Sequence, residues 1–226
     1  MASLTWLGHG SWKLDTQDGR RLYVDPWLDA PTTPDAEKDP DRADVIALTH
    51  GHGDHASTTV QLQQKLGCTV VGMVELMGWL AANGADEDKV IGFNKGGTVE
   101  VAGIRITMTH ALHSSSAPDG SYAGDPAGFV VFADDQRVYF AGDTGVFSDM
   151  QLIARLYEPT VAVLPIGDHY TMSPKEAALA LELLGNPRCV PGHWGTFPLL
   201  TGTPQELAGL TSAQVEQVQP GDTVEL

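Results

Sequence analysis

The segment Thr49-His50-Gly51-His52-Gly53-Asp54-His55 places three histidines and one aspartate within six residues. It follows the apolar run Val45-Ile46-Ala47-Leu48, whose composition is typical of a buried strand. Histidine is a strong ligand for zinc and similar metals, and carboxylates are their usual oxygen ligands. Four ligand-type side chains so close together serve no packing purpose. The segment therefore predicts a metal site on a loop at the end of a strand.

The spacing within this segment predicts room for two metal ions. Residues two apart in an extended chain point to the same side, so His50 and His52 are expected to bind one metal together. The chain can turn at Gly53, which would bring Asp54 and His55 to a second, adjacent metal. We expect the glycines of the segment to leave the space that two neighbouring ions require.

Other histidines and aspartates also stand at or just past the ends of apolar runs. They are His9, Asp25, His110, His113, Asp143, Asp168, His169 and His193. Loops on a rigid scaffold are where functional residues concentrate. Strands that end in ligand-type residues therefore indicate one site at one edge of a sheet.

The motif at residues 50–55 has the form H-x-H-x-D-H and resembles the signature of the metallo-β-lactamase superfamily. Later segments resemble further motifs of that superfamily in the right order, namely His113-Ser114, Gly142-Asp143-Thr144 and Gly192-His193. Three more segments are closer still to one branch, namely Leu7–Ser11, Val24–Trp27 and Leu164–Asp168. That branch holds small metal-dependent hydrolases related to the ascorbate-6-phosphate lactonases. The resemblance spans nearly the whole chain.

The order of predicted elements indicates an α/β or α+β protein, with strand-rich segments interleaved with helices. The resemblance narrows this to an α+β fold, the four-layer αββα sandwich, in a single domain over residues 1–226. Local signals predict a capping box at Ser173–Glu176, the same device at Thr203–Glu206 and a closing hairpin over 214–226.

The resemblance implies two divalent metal ions per chain, with zinc foremost and manganese or iron as alternatives. His50, His52 and His113 would hold the first metal. Asp54, His55 and His193 would hold the second, and Asp143 would bridge the two. His110 competes with His113 for the role of third histidine, and the serine that follows His113 favours His113.

Four more residues are candidates for supporting roles. A metal-bound imidazole usually donates its other N–H to a carboxylate or carbonyl, and His9 and Asp25 are candidates for such contacts. Asp25 is equally well explained as a turn residue before Pro26. Asp168 and His169 lie between a predicted strand and a capped helix, and are therefore expected to face the substrate. A plain surface role for His169 is equally open.

The expected chemistry is hydrolysis. Bound divalent metals lower the pKa of water to near 7, so a metal-bridged hydroxide would be available to attack a carbonyl or phosphoryl centre. Asp143 as the bridge and Asp54 are the expected catalytic carboxylates, and either Asp54 or a histidine that binds no metal would carry the proton. The predicted function is cleavage of a small ester, lactone, amide or phosphoester.

Composition limits the partners. The formal net charge is −16, and the 13 lysines and arginines form no cluster, so a nucleic-acid partner is not expected. No apolar run approaches the ~20 residues of a membrane span. The N-terminus carries no signal-like stretch, which predicts a cytoplasmic protein. A small-molecule substrate is the expected partner. The sequence does not decide whether the protein forms a homo-oligomer.

Two other functions remain as alternatives. One is a nucleic-acid phosphodiesterase, an activity found within the same superfamily, although little positive charge is available here. The other is a metal-binding protein without hydrolytic turnover, since the same ligands also hold iron. Fold membership does not decide among the three, because one scaffold hosts many reactions.

Overall fold

The computed structural model describes residues 1–226. Thirteen strands form two sheets. The first sheet contains β1 (Ser3–Gly8), β2 (Ser11–Asp15), β3 (Arg21–Val24), β4 (Val45–Leu48), β5 (Thr69–Met73), β6 (Val90–Phe93) and β13 (Thr223–Glu225). The second contains β7 (Thr98–Val101), β8 (Ile104–His110), β9 (Ala127–Ala133), β10 (Gln136–Phe140), β11 (Val161–Pro165) and β12 (Arg188–Gly192). Their spatial orders are β13-β1-β2-β3-β4-β5-β6 and β12-β11-β10-β9-β8-β7.

Six α-helices connect and cover these strands. They are α1 (Gly53–Ala56), α2 (Thr59–Leu66), α3 (Val74–Ala82), α4 (Met150–Tyr157), α5 (Pro174–Leu183) and α6 (Pro204–Ala208). Two short 3-10 turns span Asp35–Glu37 and Glu87–Lys89. None of the helices combines the length and the apolar character needed to cross a bilayer.

Two hydrophobic cores hold the layers together. The larger core, of 42 buried residues, joins the facing sides of both sheets and reaches under α2 and α3, for example at Leu62 and Leu80. The smaller core, of 16 residues, lies between the second sheet and α4, α5 and α6. The layers therefore run helix, sheet, sheet, helix, and the predicted αββα sandwich is confirmed.

Local chemistry explains where the helices begin and end. At α5, Ser173 accepts a hydrogen bond from the Glu176 N–H while the Glu176 carboxylate accepts one from the Ser173 N–H, which is the predicted capping box. At α6 only half of this device forms, because Thr203 caps the Glu206 N–H without the reciprocal bond. Helix α2 ends at Gly67, whose φ of 65° is a conformation that glycine adopts without strain.

The parallel strands place their carboxyl ends at common edges. In the first sheet, β3, β4, β5 and β6 are mutually parallel, and in the second β10, β11 and β12 are parallel. Loops that follow β3 and β4 therefore emerge together, as do those that follow β10 and β12. These are the loops that carry the predicted ligands.

The predicted closing hairpin over 214–226 is wrong. Strand β13 pairs with β1 in the first sheet, whereas Val215 forms a bridge with Cys189 in β12 of the second sheet. Both partners belong to the edge of a sheet, where backbone groups lack a neighbour. The C-terminal segment thus covers one edge of each sheet instead of pairing with itself.

Candidate metal centre

Three histidine rings converge beyond β4. His50 and His52 follow this strand directly, and His113 follows β8 in the facing sheet. One ring nitrogen from each lies within 4.8 Å of the others, and His50 Nε2 is 3.0 Å from His52 Nδ1. His50 is fully buried, whereas the other two rings are partly open to solvent. We call this set the three-histidine cluster.

A second set combines a carboxylate with imidazoles. Asp54 and His55 lie on the short helix α1, which begins where the chain turns at Gly53. His193 follows β12, and His9 follows β1. Ligand atoms of these four residues also lie within 4.8 Å of one another. We call Asp54, His55 and His193 the mixed cluster and treat His9 separately.

The Asp143 carboxylate stands between the two clusters. Its Oδ2 atom is 3.1 Å from His193 Nε2 and 3.4 Å from His55 Nε2 in the mixed cluster. The same atom is 3.7 Å from His113 Nε2 in the three-histidine cluster. The preceding Gly142 has a φ of 63°, and a Cβ there would approach the Thr49 side chain to 2.9 Å. Glycine is therefore required at the turn that brings Asp143 to this position.

The Asp25 carboxylate fixes the orientation of two buried rings. It accepts hydrogen bonds from the Thr49 N–H at 2.7 Å and from the Thr49 hydroxyl at 2.5 Å, and it contacts His55 Nδ1 at 2.9 Å. Because the Thr49 hydroxyl donates to Asp25, its oxygen is left to accept from His50 Nδ1 at 3.0 Å. Nδ1 of both rings is thereby engaged as a donor, so Nε2 is the atom that each ring would offer to a metal.

The His9 ring performs a similar function on the opposite side. Its Nε2 atom is 3.0 Å from Asp54 Oδ2, and its Nδ1 atom is 3.0 Å from the Thr196 hydroxyl. The carbonyl oxygen of His9 accepts hydrogen bonds from the His193 N–H at 2.8 Å and from the Trp6 indole at 2.9 Å. His9 thus connects two residues of the mixed cluster, one through its ring and one through its backbone.

Electrostatics differ between the two clusters. Burial lowers the pKa of His50 and of His113, so both rings are neutral near pH 7. Burial also opposes charge on His55, but the carboxylates of Asp143 and Asp25 outweigh it and raise the pKa of His55 well above its usual value. For Asp143, burial is outweighed by His193 and His55, and its pKa lies well below the usual range.

The same balance of effects acts on the His9–Asp54 pair. Burial lowers the pKa of His9 to about 4 despite the hydrogen bond to Asp54. Burial opposes the charge of Asp54, but the hydrogen bond from His9 and the charge of His55 hold the pKa of this carboxyl well below its usual range. A neutral His9 therefore donates to an ionised Asp54 at neutral pH.

Three buried ring nitrogens have no hydrogen-bond partner: His55 Nε2, His193 Nδ1 and His193 Nε2. A buried polar atom left unpaired costs about 1–3 kcal/mol. Two of these atoms, His55 Nε2 and His193 Nε2, face the Asp143 carboxylate without hydrogen-bond geometry. A divalent cation beside Asp143 would satisfy both of them, so the donor set fits the implied metals.

Three candidate residues lie apart from both clusters. His110 is exposed at the end of β8, where its Nδ1 atom faces the Lys95 ammonium at 3.2 Å and its ring packs edge-on against Phe147. Asp168 and His169 are also exposed, and neither makes a hydrogen bond to a cluster residue. None of the three lies among the proposed ligands, and the expected contacts of Asp168 and His169 with substrate stay predictions. The backbone at 168 and 169 is left-handed, and both side chains are exposed to solvent.

One glycine of the motif has a packing role. A Cβ at Gly51 would lie 2.7 Å from the Ser116 carbonyl oxygen and 2.7 Å from the Ala123 side chain, whereas one at Gly53 would meet nothing within 4 Å. Gly51 therefore permits close packing of the loop that follows His113, and the room that the glycines would leave for ions stays a prediction.

Sequence reasoning missed the hydroxyl residues that hold the ligands in place. Thr49 binds Asp25, and Thr196 binds His9. The Thr144 hydroxyl accepts from the Leu112 N–H at 2.9 Å and so ties the loop of His113 to the loop of Asp143. Only their positions next to ligand-type residues could have indicated them, since threonine is common in loops.

A model of the beta-lactamase superfamily domain matches residues 20–194 of this chain. The chain belongs to the beta-lactamase superfamily. Within it, a UPF0173 metal-dependent hydrolase of Herpetosiphon aurantiacus is 46% identical over 231 aligned residues, covering 97% of this chain and 96% of that protein. The chain is thus a member of a family of metal-dependent hydrolases.

Solved structures of this superfamily share the fold. Igni18, a metallo hydrolase from the archaeon Ignicoccus hospitalis, is 35% identical with a TM-score of 0.87, and the alignment covers 99% of this chain and 97% of that one. A metallo-beta-lactamase superfamily protein of Thermotoga maritima is 22% identical with a TM-score of 0.63, over 100% of this chain and 92% of that one. The second likeness bears on the fold alone.

Proposed function

We propose that this protein binds two divalent metal ions, one in each cluster, and hydrolyses a small molecule at an ester, lactone, amide or phosphoester bond. The observation that carries the proposal is the position of Asp143, whose Oδ2 atom lies 3.1–3.7 Å from ring nitrogens of both clusters. Zinc is the proposed metal because imidazole nitrogens dominate the donor set, and manganese and iron are the alternatives.

When bound, such metals supply a water of lowered pKa and polarise the bond to be cleaved. The protein's own residues hold the ligands for this task. Asp25 and Thr49 hold Nδ1 of His55 and His50, so that Nε2 of His55 faces the Asp143 carboxylate and Nε2 of His50 faces the His52 ring. The two clusters are therefore organised around one carboxylate before any substrate arrives.

Asp54 is the most accessible carboxylate of the centre, with 35% of its side chain exposed. Its pKa lies far below neutrality, and a carboxylate that weakly basic is a poor proton acceptor near pH 7. We therefore assign Asp54 as a ligand whose orientation is fixed by His9. The low pKa of Asp54 favours this assignment as a ligand over its expected role as a proton carrier.

Relatives support the hydrolytic assignment. The protein from Herpetosiphon aurantiacus is named a metal-dependent hydrolase, and Igni18 is described as a metallo hydrolase. The net charge of −16 disfavours a polyanionic nucleic acid as substrate. We propose a small molecule as the substrate for this reason.

The metal content of the purified protein tests the proposal first. We expect about two equivalents of zinc, manganese or iron per chain by elemental mass spectrometry, one for each cluster. Ester, lactone, amide and phosphoester substrates should then show turnover that a chelator abolishes and added metal restores. One equivalent or none, after metal is supplied at neutral pH, would contradict the two-metal assignment. Two bound metals without turnover on any substrate would favour the non-hydrolytic alternative.

A further inference from the structure

Two aromatic rings stand beside the mixed cluster without a role in the proposed metal site. Trp27 and Phe197 are both half-buried, and their ring centroids are 6.2 Å apart. Each packs edge-on against the His9 ring, at 5.4 and 5.5 Å between centroids. His9 in turn contacts Asp54 at 3.0 Å. We call Trp27 and Phe197 the aromatic wall.

The wall is fixed by the same loops that carry the site. The Trp27 N–H donates to the Ser11 hydroxyl at 3.0 Å and to the Asp25 carbonyl at 2.8 Å. The Phe197 carbonyl accepts from the Leu200 N–H at 3.0 Å, in the loop that begins at His193. Because these anchors involve backbone atoms, both rings are held in place while part of each stays open to solvent.

Lysine and arginine side chains make no polar contact with this region. None of the 13 lysines and arginines makes a hydrogen bond or ion pair with a residue of either cluster, with Asp25, His9 or Asp143, or with the aromatic wall. The cations of the neighbouring strands are neutralised elsewhere, as Lys13 is by Glu37 and Arg21 is by Asp15. Proteins recognise phosphate groups chiefly with arginine and lysine. A phosphorylated substrate would find no such partner at this site.

We propose that the aromatic wall binds an apolar acyl or aryl group of a neutral ester, lactone or amide. This inference rests on the proposed function and narrows it, because it places phosphoesters outside the preferred substrates. Half-open aromatic faces contribute mainly by removing apolar surface from water. Both rings of the wall pack on His9, which contacts Asp54, so the apolar substituent of a bond cleaved at the metals would reach Trp27 and Phe197 on this side of the mixed cluster.

Binding of straight-chain carboxylates from acetate to hexanoate tests the wall. All carboxylates of the series carry the same charge. Calorimetry on the metal-loaded protein therefore measures how much each additional methylene group of the ligand contributes to affinity. We expect the affinity to rise about twofold per methylene group, which corresponds to half the transfer free energy of a fully buried methylene. Trp27→Ala and Phe197→Ala should flatten this rise, and Trp27→Phe should retain most of it.

Leu156→Ala is the matched control. Leu156 is an apolar side chain, 70% exposed on α4, and it contacts neither cluster. Its variant should keep the wild-type rise. The inference would be overturned by an affinity that does not change along the series, or by an unchanged rise in both wall variants. Metal content of each variant, measured in parallel, shows that the site itself is intact.

Hydrolysis rates distinguish two possible errors: a wrong role for the aromatic wall and a wrong assignment of the protein as a hydrolase. We expect kcat/KM to rise from p-nitrophenyl acetate to p-nitrophenyl butyrate, and p-nitrophenyl phosphate to be the poorest substrate. If hydrolysis does not depend on the length of the acyl group, the proposed role of the aromatic wall is wrong, whereas the hydrolase assignment is unaffected. Chain-dependent carboxylate binding without hydrolysis of any substrate would support the wall and overturn the hydrolase assignment.

Discussion

The three-histidine cluster and the mixed cluster bind the same kind of ion in our proposal, but they differ in charge. Two of the three histidines come from one loop after β4, and burial keeps His50 and His113 neutral. The mixed cluster likewise takes two residues, Asp54 and His55, from the same motif and adds His193 from the loop after β12. It combines an ionised Asp54 with a His55 whose pKa is raised. The two clusters thus share one plan of assembly, and they differ in the charge that burial permits on their side chains.

The two clusters also differ in backbone conformation. His9 and His193 adopt left-handed φ values of 50° and 53°, which non-glycine residues rarely do, whereas the residues of the three-histidine cluster do not. Conformations of this kind cost about 1–3 kcal/mol each and persist where the surrounding structure imposes them. The hydrogen bond from the His193 N–H to the His9 carbonyl is one such constraint. The comparison indicates that the mixed cluster depends more strongly on the completed fold.

Replacement of the residue shared by both clusters should have the largest effect. Asp143→Ala should lower kcat/KM at least about 10³-fold, equivalent to about 4 kcal/mol of transition-state stabilisation. It removes the one carboxylate that contacts ring nitrogens of both clusters. Kinetics and metal content measured on the same sample check this expectation, with Leu156→Ala as control. Wild-type activity with two bound metals would disprove the central role of Asp143.

The sequence predicted the fold and the ligand-rich motif of the metal centre, but not all of its contacts. The order of predicted elements indicated only an α/β or α+β protein, and the family resemblance carried by the dense motif and the later motifs narrowed this to the αββα fold. The serine after His113 favoured His113 over His110, but the contacts of His110 with Lys95 and Phe147 involve segments that meet only in the folded chain. The same holds for the contacts of Thr49 with Asp25 and of Thr196 with His9, and the last two residues are 187 positions apart, so no periodic signal links them.

Asp25 should affect both clusters, because it holds His55 directly and His50 through Thr49. Loss of such supporting contacts typically costs 10–100-fold in metal affinity. We expect Asp25→Asn to weaken both metals within about this range, as measured by competition with a chromophoric chelator. If only one metal were weakened, the link from Asp25 through Thr49 to His50 would be refuted.

His9 should affect only the mixed cluster, since its ring contacts Asp54 and Thr196 and no residue of the three-histidine cluster by hydrogen bond. His9→Leu should weaken the second metal about tenfold and leave the first unchanged. His9→Gln retains a side-chain N–H donor and should recover most of the loss. Equal weakening of both metals in the same chelator assay would argue for a general loss of structure instead.

Proton release should distinguish the clusters as well. In the metal-free protein the raised pKa of His55 keeps its ring protonated at pH 7, and a metal must displace that proton from Nε2. Loading of the mixed cluster should therefore release about one proton, and its affinity should fall with decreasing pH throughout the neutral range. The neutral His50 and His113 release none, so the proton that leaves His55 should be absent from metal binding to the three-histidine cluster.

Calorimetry in buffers of different ionisation enthalpy measures this release. His193→Ala removes a ligand of the mixed cluster only, and its remaining metal should bind without dependence on the buffer. Equal proton release from wild type and variant would contradict the assignment of the protonated ring to the mixed cluster.

The smallest effects should come from the histidines outside both clusters. His110→Ala and His169→Ala should change metal affinity and kcat/KM less than about twofold, which is under roughly 0.5 kcal/mol. His110 faces Lys95 and Phe147, and His169 packs on Tyr170, so neither ring has a contact through which it could orient a ligand. A larger loss in kcat/KM with unchanged metal affinity would mean that substrate reaches these rings. It would then place the far end of the substrate beyond the aromatic wall, on the side of β8 or of the loop after β11.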